Sequence, residues 1–177
     1  YTIETLNSLA RTNECRHRFD AAKECYEECI NLSREILGEK DSSVSQTLHD
    51  FGCLLIKMNK RSKALDIFES TLRLRKKLLG LENEDTIITI TKIGEIYLYD
   101  KEYEAALRCF DQALTLISQL HGTNHIDFGT CSQTMGTIHY KEERFEEAIR
   151  YLKDAYTIQN AASETNMIRL SNTCHCL

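Results

Sequence analysis

Between residues 84 and 122 the apolar positions change phase twice. Ile87, Ile90, Ile93, Ile96 and Tyr97 fall at the three- and four-residue spacing of one helix face. The polar step Asp100-Lys101-Glu102 breaks that register. Leu107, Phe110, Ala113, Leu114 and Ile117 then begin a second helical stripe. The spacing predicts one helix over 86 to about 100 and another over 103 to about 120. The second ends at His121-Gly122, where a glycine is free to take a positive-φ C-cap.

The same unit returns along the whole chain. Ala10, Gly52, Gly94 and Gly136 stand 42 residues apart, as do Ala22, Ala64, Ala106 and Ala148, and again Gly38, Gly80 and Gly122. Unslipped recurrence means one helix pair stacked on copies of itself. A glycine inside a helix costs about 1 kcal/mol against alanine. Its return at Gly52, Gly94 and Gly136 therefore predicts a packing role in which small residues let the paired helices approach closely. The expected repeats are 1–42, 43–84, 85–126 and 127–162. Residues 163–177 are expected to form a separate capping helix, with Cys174 and Leu177 on the core slots of a fifth first helix.

Large residues surround the small ones in a fixed order. Leu6, Leu9, Ala10, Ala22 and Tyr26 become Leu48, Phe51, Gly52, Ala64 and Phe68, then Ile90, Ile93, Gly94, Ala106 and Phe110, and last Ser132, Met135, Gly136, Ala148 and Leu152. This order resembles the tetratricopeptide repeat signature. The 42-residue period and the Leu-Gly endings at Leu37-Gly38 and Leu79-Gly80 resemble the kinesin light chain variety. The resemblance covers residues 1 to about 160 and implies an all-α, right-handed solenoid of antiparallel helix pairs. The chain departs from the family pattern by lacking proline. Ile126 follows His125, Ser42 and Glu84 hold the equivalent places, and Glu164 replaces the linker glycine.

In the resembled family one face of the first helices lines a concave groove that binds a partner. Carried over by position, that face comprises Glu4, Asn7, Arg11 and Glu14; Gln46, His49, Cys53, Ile56 and Lys57; Ile88, Thr91, Glu95, Leu98 and Tyr99; and Thr130, Gln133, Thr137, Tyr140 and Lys141. The Lys/Asn carboxylate clamp of chaperone-tail-binding relatives is absent. Ser8, Asp50, Lys92 and Thr134 replace the asparagine that kinesin light chains repeat. A mixed, mildly apolar groove suits a peptide or amphipathic helix of a partner protein. The expected function is thus a protein–protein interaction module. The alternative is a structural or self-associating solenoid arm of a larger scaffold, joined through its exposed ends.

Charge changes the picture by exclusion. A net charge of -5 argues against a nucleic-acid partner. The local basic zone of Lys57, Lys60, Arg61 and Lys63, then Arg73, Arg75, Lys76 and Lys77, reads as solvated helix surface, with a patch for an acidic partner as the alternative. No apolar run approaches the roughly 20 residues that span a bilayer. The eight cysteines show no Cys-x-x-Cys pair. Cys25 and Cys109 share a slot with Ile67 and Tyr151, which points to reduced, packed thiols. A reducing, cytoplasmic location is expected. The chain is also expected to be a fragment of a longer protein.

Candidate chemistry is sparse. His121 and His125 straddle the break at Gly122 and lack further ligands, and Cys174-His175-Cys176 lacks partners too. Asp50-Phe51-Gly52 spells a kinase tripeptide without the accompanying phosphate loop, and Phe51 and Gly52 are repeat landmarks. No nucleophile, base and orienting group meet at one junction. No catalytic residue, metal or cofactor is expected.

Overall fold

The computed structural model describes residues 2–38 and 41–175, with the side chains of 2–36 and 41–162. It forms two compact units, Tyr1–Ile96 and Tyr97–Leu177. The first holds α1 (Ile3–Cys15), α2 (Phe19–Leu37), α3 (Ser42–Lys57), α4 (Arg61–Leu78) and most of α5 (Glu84–Tyr99). The second holds the end of α5, then α6 (Tyr103–Leu120), α7 (Ile126–Lys141) and α8 (Phe145–His175).

Local chemistry explains the boundaries. Each first helix ends on a residue with positive φ: His17 at 57°, Asn59 at 59°, Lys101 at 64° and Glu143 at 60°. This turn lets Arg18 N donate to Asn13 O at 2.9 Å and Lys60 N to Leu55 O at 2.8 Å, so the last carbonyls are satisfied. The second helices end at Gly38, Gly80 and Gly122, with φ of 83°, 86° and 84°. At Gly38 ψ is 166°, a region essentially restricted to glycine. The next first helix is capped by a side chain. Asp41 accepts from Ser43 N at 2.8 Å, Asn83 from Asp85 N at 3.0 Å and His125 from Asp127 N at 3.3 Å. These caps stand where the resembled family places its His-Pro step.

In unit 1, α1 packs on α2, α2 on α3 and α3 on α4. Leu6, Ala10, Tyr26, Leu54, Ala64 and Phe68 are buried there. The recurrent glycine is filled from the partner helix. A Cβ on Gly52 would stand 2.8 Å from the Phe68 ring. In unit 2, α7 packs on α6 and α8, and a Cβ on Gly136 would meet Leu152 Cγ at 2.7 Å. The closest neighbour is therefore the large residue four positions past the recurring alanine, a knob lying in the hole that glycine leaves.

Three expectations need correction. Leu9 is 42% exposed and Leu152 38% exposed, whereas Phe51 and Phe68 at the same repeat slots are buried. Arg75 is not solvated surface but 1% exposed. Finally, α8 runs unbroken from Phe145 to His175, so no separate capping helix begins at 163. Glu164 stands where glycine stops α2, α4 and α6, which leaves that helix without a terminator. The side chain of Cys174 and residues Cys176 and Leu177 lie outside the described residues, and with them their proposed core slots and ligand cluster.

Candidate interaction surface

The first-helix face of unit 1 is tied together by cross-repeat polar contacts. Asn7 Nδ2 on α1 donates to Thr47 Oγ1 on α3 at 3.1 Å. Two to three turns further along, Lys57 Nζ on α3 reaches Glu14 Oε1 on α1 at 2.7 Å, and Tyr26 Oη donates to the other Glu14 oxygen at 3.2 Å. The Glu14 bond raises the Lys57 ammonium above its ordinary pKa. Burial, with Glu14 adding to it, pushes the Tyr26 hydroxyl up. The face is thus held in one register before any ligand arrives.

Arg75 organises the layer beneath it. Its Nη1 donates to Asp85 O at 2.6 Å and Thr89 Oγ1 at 2.8 Å, and its Nη2 donates to Gln46 Oε1 at 2.8 Å. Gln46 in turn donates to Asp50 Oδ1 at 3.0 Å. Burial raises the Asp50 pKa while the Gln46 bond opposes that rise. Asp85 Oδ1 is the nearest carboxylate to the guanidinium, at 3.9 Å. Carbonyl, amide and hydroxyl oxygens therefore solvate this charge more closely than a counter-ion does.

His49 departs from expectation. It is 8% exposed, with its ring 5.3 Å from Phe68, and Cys53 Sγ lies 3.7 Å from its Nε2. Burial lowers its pKa to about 4, helped by Arg75 and Lys92. It is a core imidazole, not an open groove residue. Its neighbour Arg75 carried no sequence signal, because the same slot holds Ser33, Ile117 and Gln159 in the other repeats.

Of the remaining candidates, Arg11, Gln46, Lys57 and Ile88 are exposed in unit 1, while Asn7, Ile56 and Thr91 are half-buried. In unit 2, Tyr99, Gln133, Tyr140 and Lys141 are exposed and Leu98 is half-buried. Tyr140 stands 62% exposed, its ring edge-on to Phe145 at 6.0 Å. Its neighbour His139 turns inward instead, stacking on Tyr151 at 5.4 Å, with the Arg150 guanidinium 4.8 Å over the same ring. Gln133 Oε1 accepts from Gln159 Nε2 at 2.9 Å, tying α7 to α8 on this face. His121 and His125 stack at 4.5 Å, but among the described residues no three metal-capable groups come together.

Comparison with known proteins gives a consistent picture. A family model described as tetratricopeptide repeat matches residues 1–77 and 85–161. No curated protein matches the chain. Among solved structures, BtubC (BKLC) from P. vanneervenii superposes with a TM-score of 0.84 at 19% identity over 91% of this chain. This chain spans 64% of that protein's length. Nearly identical TPR-like repeats from Podosopora anserina, described as a kinesin light chain, give 0.77 at 14% identity, covering 90% of this chain and 75% of theirs. MamA gives 0.67 at 16%, covering 92% and 81%. At these identities the likenesses bear on the fold alone.

Proposed function

Because the chain belongs to the tetratricopeptide repeat family, we propose that it is a protein–protein interaction module, an adaptor that holds a peptide or helical segment of a partner protein against the open face of its first helices. The observation that carries this reading is Tyr140. Ile138 and His139 beside it are buried, yet this tyrosine projects from the rigid α7 with Gln133 and Lys141 exposed on the same helix. Tyrosine supplies a large amphipathic contact with little side-chain entropy to lose. The 42-residue period and the Podosopora likeness support a kinesin light chain-like architecture. The net charge of -5 speaks against nucleic acid. The described cysteines are free, and burial raises the thiol pKa of Cys29, Cys53 and Cys109, which suits a reducing, cytoplasmic setting. No described helix is long and apolar enough to cross a membrane.

The test is affinity capture from cell lysate with the wild-type chain beside a Tyr99→Ala, Tyr140→Ala variant. The reading expects a protein retained by the wild type and lost from the variant, with helicity and melting unchanged. Identical captures would overturn it.

A second reading is self-association through α8. Ile149 and Tyr156 are exposed, whereas Leu107 and Leu114 at the same slots of the previous repeat are buried. Sedimentation across a concentration series decides this: a second copy on α8 predicts a mass that rises with concentration and is reset by Ile149→Asp, and a constant monomer excludes it.

A further inference from the structure

Unit 2 carries an apolar stripe whose charged border selects what can cover it. Phe145, Ile149, Leu152 and Tyr156 follow one another along α8 at spacings of four, three and four residues. They therefore share an arc of about 60° on one side of that helix. All four are exposed, from 38% at Leu152 to 68% at Tyr156. The equivalent stripe on α6 is shut. Leu107, Phe110 and Leu114 hold the slots of Ile149, Leu152 and Tyr156 and are buried, and α7 packs on that helix. The α8 stripe thus repeats, uncovered, a surface that receives another helix one repeat earlier.

The two edges of the stripe differ. Ala148 and Ala155 close the inner edge, buried against α7. Glu146 and Lys153 lie on the outer edge, seven residues apart, and both are exposed. Alternating steps of four and three are the spacing of coiled-coil core positions, where flanking charges set the partner and its direction. Laid antiparallel on a second α8, the stripe complements itself. Phe145 meets Tyr156 of the second copy, Ile149 meets its Leu152, and Glu146 comes opposite its Lys153. The two-fold axis forms that opposite-charge pair twice. A parallel partner would set Lys153 beside the buried Ala148, and neither charge would meet its complement.

We infer that α8 of this chain pairs antiparallel with α8 of a second copy, burying the stripe of Phe145, Ile149, Leu152 and Tyr156 and joined along its outer edge by two Glu146–Lys153 pairs. This rests on the self-association reading given above and adds the orientation, the register and the residues that select the partner. Four large apolar side chains from each copy supply the burial. The exposed charges fix direction more than they add affinity.

The experiment is sedimentation equilibrium of the full chain across a concentration series, for the wild type, Glu146→Lys, Lys153→Glu and an equal mixture of the two variants. Both substitutions fall on exposed helix positions and exchange residues of similar helix propensity. In either variant alone two attractive pairs become two repulsive ones, so the dimer dissociation constant should weaken about tenfold. In the mixture each variant supplies the charge that the other now faces, and dimers should form with about the wild-type constant. Dimerisation indifferent to both variants, or no recovery on mixing, would overturn the antiparallel pairing and leave the broader self-association reading standing. A constant monomer across the series would overturn both.

Discussion

Arg75 Nη1 lies 3.5 Å from His49 Nδ1, so a permanent charge faces an imidazole that burial has already removed from water. Both effects disfavour the imidazolium. Lys92 adds to them, and Asp85 opposes them weakly. The unfolded imidazole takes its proton near pH 6.5, while the folded one waits until about 4. Below pH 6.5 the unfolded state therefore binds more protons, and stability must fall as pH falls through that window. The loss approaches ~3 kcal/mol by pH 4. Urea unfolding between pH 7 and pH 4 measures it, and His49→Asn should flatten the slope. The remaining slope in that variant has a contribution of the same sign from His139, which burial also lowers.

The contact between Gly52 and Phe68 predicts a sign that helix propensity alone would get wrong. Alanine at a helical glycine gains about 1 kcal/mol. Here its Cβ would stand 2.8 Å from Phe68 Cζ, and Phe68 is fully buried. Overpacking of this kind costs about 1 to 3 kcal/mol. Gly52→Ala should lower the melting midpoint by about 2 to 4 °C, and Phe68→Leu in the same chain should recover part of that loss. A raised midpoint for Gly52→Ala would mean that the recurring glycine has no packing role.

A different glycine should stabilise. Lys101 holds φ at 64° where the α5–α6 turn lets Glu102 N donate to Tyr97 O at 2.8 Å. A left-handed conformation strains a side-chain-bearing residue by about 1 to 2 kcal/mol, and glycine's greater freedom when unfolded returns about 0.4 to 1 kcal/mol of that. Lys101→Gly should raise the unfolding free energy by about 0.5 to 1 kcal/mol, seen as a higher denaturant midpoint with an unchanged m-value.

Much of this fold was legible in the residues. Gly38, Gly80 and Gly122 mark helix ends because few other residues accept their φ, and the apolar stripes of α5 and α6 follow the helical period closely. What escaped notice depends on contacts between repeats. Leu9 and Leu152 share their slots with buried residues, yet are 42% and 38% exposed, a difference the repeat pattern does not carry. Arg75 sits in a slot that also accepts serine and isoleucine, and its burial follows from Gln46, Asp85 and Thr89 converging on it from two other helices. His49 then turned inward because that charge and the Phe68 ring enclose it. The unbroken α8 was readable in principle from Glu164, a residue that continues a helix where glycine would end it.

The central claim is that the open first-helix face recognises a partner through side chains that folding does not need. Titration of a captured partner against the wild-type chain and Tyr140→Ala, with a melting curve for each, tests it most directly. The account predicts a dissociation constant weakened about tenfold or more, the cost of losing an interface anchor, with both chains melting together. An unchanged constant, or a loss of binding that simply tracks a loss of stability, would contradict it.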